Sequence, residues 1–175
     1  FPLLEFSHPS HMKLRTISSL AFLSIGLVLT GCSLFSKYGE VEYNNLIVEK
    51  INETSLAIEN TATLYNETLP DVVTEKDTFD ITEMRAAYDT AFDLLKNTND
   101  LLTLESRDVE QQNAVRAEIQ TYMSAGDLYL QSYSEMLTYF GTAAYQEDIT
   151  KVKPMDETLH TNYTTFIESN NDLVD

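Results

Sequence analysis

The chain is 175 residues long and strongly acidic, with 28 Asp and Glu against 11 Lys and Arg and a formal net charge of −17. That balance argues against binding nucleic acid, or an anionic lipid surface, through the domain itself, because both need clustered Lys and Arg. One cysteine rules out an internal disulfide, and the length is that of a single domain, large enough to fold on its own core.

Taken in order, Phe1 to His11 fit no targeting pattern and carry Pro2, Pro9, His8 and His11. Met12 reads as the start, so residues 1–11 are treated as a non-native or untranslated leader and set aside from the fold. A basic segment, Met12-Lys13-Leu14-Arg15, precedes an apolar run from Ile17 to Leu29, and then come Leu29-Thr30-Gly31-Cys32. A basic start, an apolar centre and small residues before a cut site make a secretory signal peptide. A membrane-spanning anchor would need roughly 20 apolar residues; this run is shorter and is broken by Ser18, Ser19, Ser24 and Gly26. An ordinary secreted protein would leave Cys32, the only cysteine, as an unexplained free thiol.

Leu29-Thr30-Gly31-Cys32 resembles the lipobox of bacterial lipoproteins, in which Leu, a small residue, Gly and Cys take four successive places. The resemblance implies that Leu29, Thr30 and Gly31 are read by the signal peptidase. It also implies that residues 12–31 are removed and that Cys32 carries a diacylglyceryl group as the mature N-terminus. The domain would then lie on the extracytoplasmic side of a cell membrane or outer membrane. Ser33 stands where Asp would resemble an inner-membrane retention signal, which favours the outer membrane if the organism has one. Residues 32–37 read as a lipidated tether, and residues 38–175 as the folded domain.

Beyond Cys32 the only helix breakers are Gly39, Gly126, Gly141, Pro70 and Pro154. A sandwich or barrel would need a turn signal about every 8–12 residues, so long helices are predicted. The first spans about 38–69, with Tyr43, Ile47, Ile51, Ile58, Ala62, Tyr65 and Leu69 at helical spacing and Asn44, Thr54 and Thr61 at the edge of the stripe. Pro70 ends it. A loop with a short apolar touch at Val72, Val73 and Phe79 leads to Asp80-Ile81-Thr82-Glu83, which reads as a capping box. The second helix, about 80–104, has the cleanest stripe: Ile81, Met84, Tyr88, Ala91, Leu95, Thr98 and Leu102.

Glu105-Ser106-Arg107 is a tight connection, which favours antiparallel neighbours, and Asp108 with Gln111 signals another cap. The third helix, about 108–145, places Val115, Ile119, Tyr122, Gly126, Tyr129, Tyr133, Leu137 and Phe140 on one face. It would be roughly 55 Å long, with a bend at Gly126 or an early end at Gly141 as alternatives. The fourth, about 154–174, opens on Pro154 and carries Met155, Leu159, Tyr163, Phe166, Ile167, Asn170 and Leu173. Four helices, each with one face to hide, predict an all-α, up-down-up-down four-helix bundle. The fourth is the shortest, so one end of the bundle is a candidate groove.

Few residue sets suggest chemistry. Glu157-x-x-His160 has the spacing used in di-iron bundles, but those need two such motifs, and His160 is the only histidine after residue 11. A metal-binding bundle using His160 is therefore a minor alternative, and no cofactor is assigned. No Ser lies in a nucleophile elbow, no loop has the Ca²⁺ spacing, and no Gly-rich phosphate cradle exists. The chain is accordingly read as non-catalytic.

All ten tyrosines follow residue 31, five of them on the third helix. Packing in the core with hydroxyls turned to water is one reading; the other is a small-molecule or glycan groove lined by Tyr122, Tyr129 and Tyr133. The opening Tyr43-Asn44-Asn45-Leu46-Ile47, with the acidity and the helices, resembles the YiiG-like lipoproteins of bacteria, which implies a helical envelope protein. The expected function is a membrane-anchored interaction module whose partner is an envelope or extracellular protein, with no nucleic acid and an oligomeric state left open.

Overall fold

In the computed structural model the described residues are 40–70, 73–104 and 110–173, without the side chains of residues 40, 41, 104 and 110–115. The segments read as signal peptide, lipobox with Cys32 and tether, together with Val72 and the connection at 105–109, lie outside them. The fold is an all-helical four-helix bundle: α1 Glu40–Thr68, α2 Thr82–Leu104, α3 Glu110–Gly141 and α4 Val152–Asp172, with two 3-10 turns, Ala144–Gln146 and Ile149–Lys151, between α3 and α4.

Paired side chains fix the direction of each helix. On α1, Tyr43 donates from its hydroxyl to the Leu101 carbonyl of α2, and Thr54 shares a hydrogen bond with Thr98 at 3.1 Å. Higher numbers on α1 thus meet lower numbers on α2, and the two run antiparallel. Ser55 meets Tyr122 and Thr61 meets Tyr129, so α3 runs parallel to α1. The Tyr163 ring lies 5.2 Å from Tyr129 and the Phe166 ring 5.0 Å from Tyr122, which turns α4 antiparallel to α3. The topology is up-down-up-down.

The predicted stripes are the buried faces. Ile51, Ile58, Ala62, Met84, Ala91, Tyr122, Tyr129, Tyr133, Leu159 and Phe166 have no measurable exposure. Gly126 sits where all four helices converge: a Cβ there would stand 3.2 Å from Ile58 Cδ1 of α1, 3.2 Å from Leu95 Cδ1 of α2 and 3.5 Å from Phe166 of α4. Its absent side chain lets the helices close at mid-height.

One end is sealed by the two longer connections. Phe79 packs edge-on against Phe140 at 5.1 Å, and Tyr145 joins both rings. The Tyr145 hydroxyl donates to the Asp77 carbonyl, which ties the α3–α4 connection to the α1–α2 connection, and the Tyr139 hydroxyl at the end of α3 donates to the Asp148 carbonyl of the connection that follows it. Val73 is buried here as well.

Three local expectations are corrected. Asp80 accepts from the Thr82 N–H at 3.0 Å, a turn two residues long, in place of the reciprocal box with Glu83. The α3 helix ends at Gly141, the alternative end, short of 145: Ala143 adopts a left-handed backbone (φ 55°) that turns the chain away, and Gly141 abuts Ile81, whose Cδ1 would lie 2.8 Å from any Cβ there. Pro154 is the third residue of α4 rather than the first, since the helix begins from the preceding 3-10 turn at Val152. Proline is still harmless there, because its missing N–H falls within the first turn.

Gly126→Leu should destabilise the bundle by about 1–3 kcal/mol, since the added carbons meet three helices at once. Urea unfolding followed by far-UV circular dichroism reads this out as a lower midpoint at unchanged slope.

Candidate functional site

The three tyrosines proposed for an open groove do not line one. Tyr122, Tyr129 and Tyr133 are wholly buried in the core, which corrects that expectation. The α3 stripe that carries them faces the centre of the bundle, where the other helices cover it. Burial forces each phenol to find a partner or forgo one. Tyr122 pairs with Ser55, and Tyr129 shares a hydrogen bond with Thr61 at 2.9 Å. The Tyr133 hydroxyl has no hydrogen-bond partner; its ring lies parallel to Tyr88 at 6.4 Å and close to Tyr65. Burial pushes the Tyr122, Tyr129 and Tyr133 phenols well above the ordinary value of 10.0.

His160 and Glu157 part company. Glu157 is exposed and lies 3.8 Å from Lys153, an exposed pair of little energetic weight. His160 is half-buried, with its Nδ1 enclosed and without a hydrogen-bond partner. Among the described residues, no three His, Cys, Asp or Glu side chains gather closely enough to hold a metal ion.

What the fold does bring together is a polar seam between α1 and α4, the first and last helices. Their backbones approach less closely than those of α1 with α2, α2 with α3, or α3 with α4. On α1, Thr54 marks the edge of the buried stripe that faces α2; Ser55 and Glu59 occupy the opposite edge. On α4, Asn162 marks the edge that faces α3, through its bond to the Leu128 carbonyl; Asp156, His160 and Tyr163 occupy the opposite edge. The direct crosslink is Tyr65, whose hydroxyl donates to Asp156 at 2.6 Å. Burial first, then the Asp156 charge, pushes the Tyr65 phenol far above its ordinary value.

Glu59 lies one turn beyond Ser55 on α1. It is half-buried, and desolvation raises its carboxyl above the usual range. Its negative charge is felt by both Tyr122 and Tyr163. The Tyr163 phenol is pushed up to about 12, by burial and then by Glu59. Tyr163 is 3% exposed, and its hydroxyl has no hydrogen-bond partner. Sequence reasoning missed Glu59 and Tyr163 as neighbours. The signal available was Ser55 and Glu59, one turn apart and polar, beside an otherwise apolar stripe.

Two outcomes test this arrangement. Tyr133→Phe should leave stability unchanged or raise it, because its hydroxyl makes no bond, whereas Tyr129→Phe should cost about 1 kcal/mol by removing the interhelical bond to Thr61, which keeps only its bond to the Ile58 carbonyl; urea midpoints of the two variants decide. In alkaline titration the sign follows from the raised folded values. The stabilisation is complete below the unfolded phenol value of 10.0 and is lost as pH rises through the folded values. The core tyrosines should therefore ionise only as the protein unfolds, giving a cooperative absorbance rise near 295 nm coincident with the loss of helix.

Compared with known proteins, the chain matches no family model, no curated protein and no solved structure.

Proposed function

We propose that this chain is a lipid-anchored cell-envelope protein whose helical bundle works by binding another protein and performs no catalysis. The observation that carries the reading is Leu29-Thr30-Gly31-Cys32 directly after a basic and apolar start. Cys32 takes the lipid, and the seven residues from Ser33 to Gly39 can span at most about 25 Å before α1 begins. The bundle is thus held close to the bilayer by the end at which α1 starts, with the aromatic-sealed end facing away from it. No described helix is long and apolar enough to cross a membrane, so attachment falls to the lipid.

Support for a binding role comes from the way the interior is used. The core is filled by its own side chains, which leaves the outer faces of the helices as the working surface. Those faces are acidic, with large apolar side chains standing out at Leu56, Phe92 and Leu128. An acidic surface with isolated apolar contacts suits an envelope or extracellular protein with basic groups.

Expression of the full chain in bacteria fed an alkyne fatty acid tests both halves. The wild type should be labelled and sediment with membranes, and Cys32→Ser should lose the label and the sedimentation together. A photo-crosslinker placed at Phe92 or Leu128 should give one discrete protein adduct. Labelling that survives Cys32→Ser, or crosslinking spread over many proteins, would overturn the reading.

A further inference from the structure

We propose that the outer ridge of α1 on one copy of this chain docks on a cationic, aromatic stripe of α2 on a second copy, so that the bundles associate head to tail. The proposal rests on the reading of the bundle as a protein-binding surface and names the partner.

The stripe consists of Arg85, Phe92 and Lys96, all exposed, which steps of seven and four keep on one side of α2. Phe92 is 41% exposed, yet its ring is held in place. Tyr88 stacks on it at 5.8 Å and 21°, and stacks in turn on buried Tyr133 at 6.4 Å and 9°. Arg85 leans over the end of α3, with a guanidinium nitrogen 3.3 Å from where a Cβ on Gly141 would stand. Phe92 is thus a fixed apolar anchor between two cations, which lowers the ordering cost of docking. Both cations are available. Lys50, Lys151 and Lys153 each pair with an acidic neighbour, whereas Arg85 and Lys96 make no ion pair or side-chain hydrogen bond among the described residues.

The complementary surface is on the same chain. Leu56 on α1 is 53% exposed, and Glu49 and Glu67 lie on its ridge at steps of seven and eleven. Both carboxylates are exposed and without an ion pair among the described residues. With Leu56 set against Phe92 and the two helices antiparallel, Glu67 falls about 6 Å beyond Arg85 and Glu49 about 4.5 Å beyond Lys96, at a rise of about 1.5 Å per residue. Long side chains span such offsets. A parallel pairing would set Asn60 against Lys96 and point the α1 helices of the two copies in opposite directions. The antiparallel pairing points them the same way, as two copies anchored in one bilayer require. The net charge of −17 opposes approach elsewhere, so contact is confined to where opposite charges meet. Leu128, the other exposed large apolar side chain, has Ser124, Asp127 and Gln131 around it on α3 and offers an acidic ridge no counter-charge. A head-to-tail contact leaves one ridge and one stripe free, so further copies add in a row.

The experiment uses the full chain carrying Cys32→Ser, so its outcome does not depend on lipidation. Cysteines replacing exposed Asn60 and Asp89 flank the contact and leave Leu56 and Phe92 in place. With a short bis-maleimide the double variant should give a ladder of dimer, trimer and larger species as concentration rises. Either single variant alone should stay monomeric, and the two mixed should stop at the dimer. Arg85→Glu should lower the crosslinked fraction by about fivefold; adding Glu67→Arg should restore it, and adding Glu49→Arg should not. These positions are exposed, and unchanged far-UV circular dichroism checks that each variant folds. A monomer at every concentration, a dimer from one single variant alone, or no rescue by Glu67→Arg would overturn the proposal.

Discussion

A buried phenol is a long lever with a polar tip, and the position of the tip fixes the position of whatever it bonds. In this bundle Tyr122 and Tyr129 reach from α3 to Ser55 and Thr61 on α1, two residue pairs offset by almost the same number of positions. Sliding α1 along α3 by a single turn would break both bonds and leave buried hydroxyls without partners. Each such loss costs about 1–3 kcal/mol, a sizeable part of the stability of a domain this size. The register of the two diagonal helices is set by hydroxyls, while apolar burial alone would accept neighbouring registers.

The same rule explains why the interior is uneven. Between α1 and α2 the polar side chains answer one another, as Thr54 answers Thr98. Between α1 and α4 they do not: Tyr65 is answered by Asp156, but Glu59, Tyr163 and His160 face one another's helices without bonds of their own. The bundle therefore has tight, satisfied seams and one loose, polar seam. Such asymmetry costs stability that a simple packing optimum would not give up.

Much of this was legible in the residues. Steps of three and four located all four helices, because an apolar stripe identifies a buried face wherever it occurs. The interruptions at Thr54 and Thr61 were visible as well, and both prove to be interhelical bonds. What the spacing could not reveal was which neighbour covers which face. Tyr122, Tyr129 and Tyr133 lie on a face that any amphipathic helix would show, and only the packing of three other helices over it decides between core and groove. The spacing left the end of α3 open between 145 and Gly141, and what stands against Gly141 is Ile81, sixty positions earlier in the chain. Glu59 gave no signal in an acidic chain full of carboxylates, since its meaning lies in what surrounds it. The resemblance of Leu29-Thr30-Gly31-Cys32 to a lipobox is a local pattern that needs no tertiary context, and it lies outside the described residues.

The close pairing of each helix with its neighbour in sequence also has a kinetic meaning. The α1–α2 and α3–α4 hairpins bring together consecutive helices, and such contacts close shorter stretches of chain, at lower entropic cost, than a contact between the first helix and the last. The α1–α4 seam instead joins the two ends of the domain, the longest closure in the chain, and with the weakest packing to reward it. It is expected to form last on folding and to open first, with amide hydrogens bordering it exchanging ahead of those at Gly126. On that expectation, the seam that holds two of the buried unpartnered polar atoms, on His160 and Tyr163, is the one solvent would visit most often.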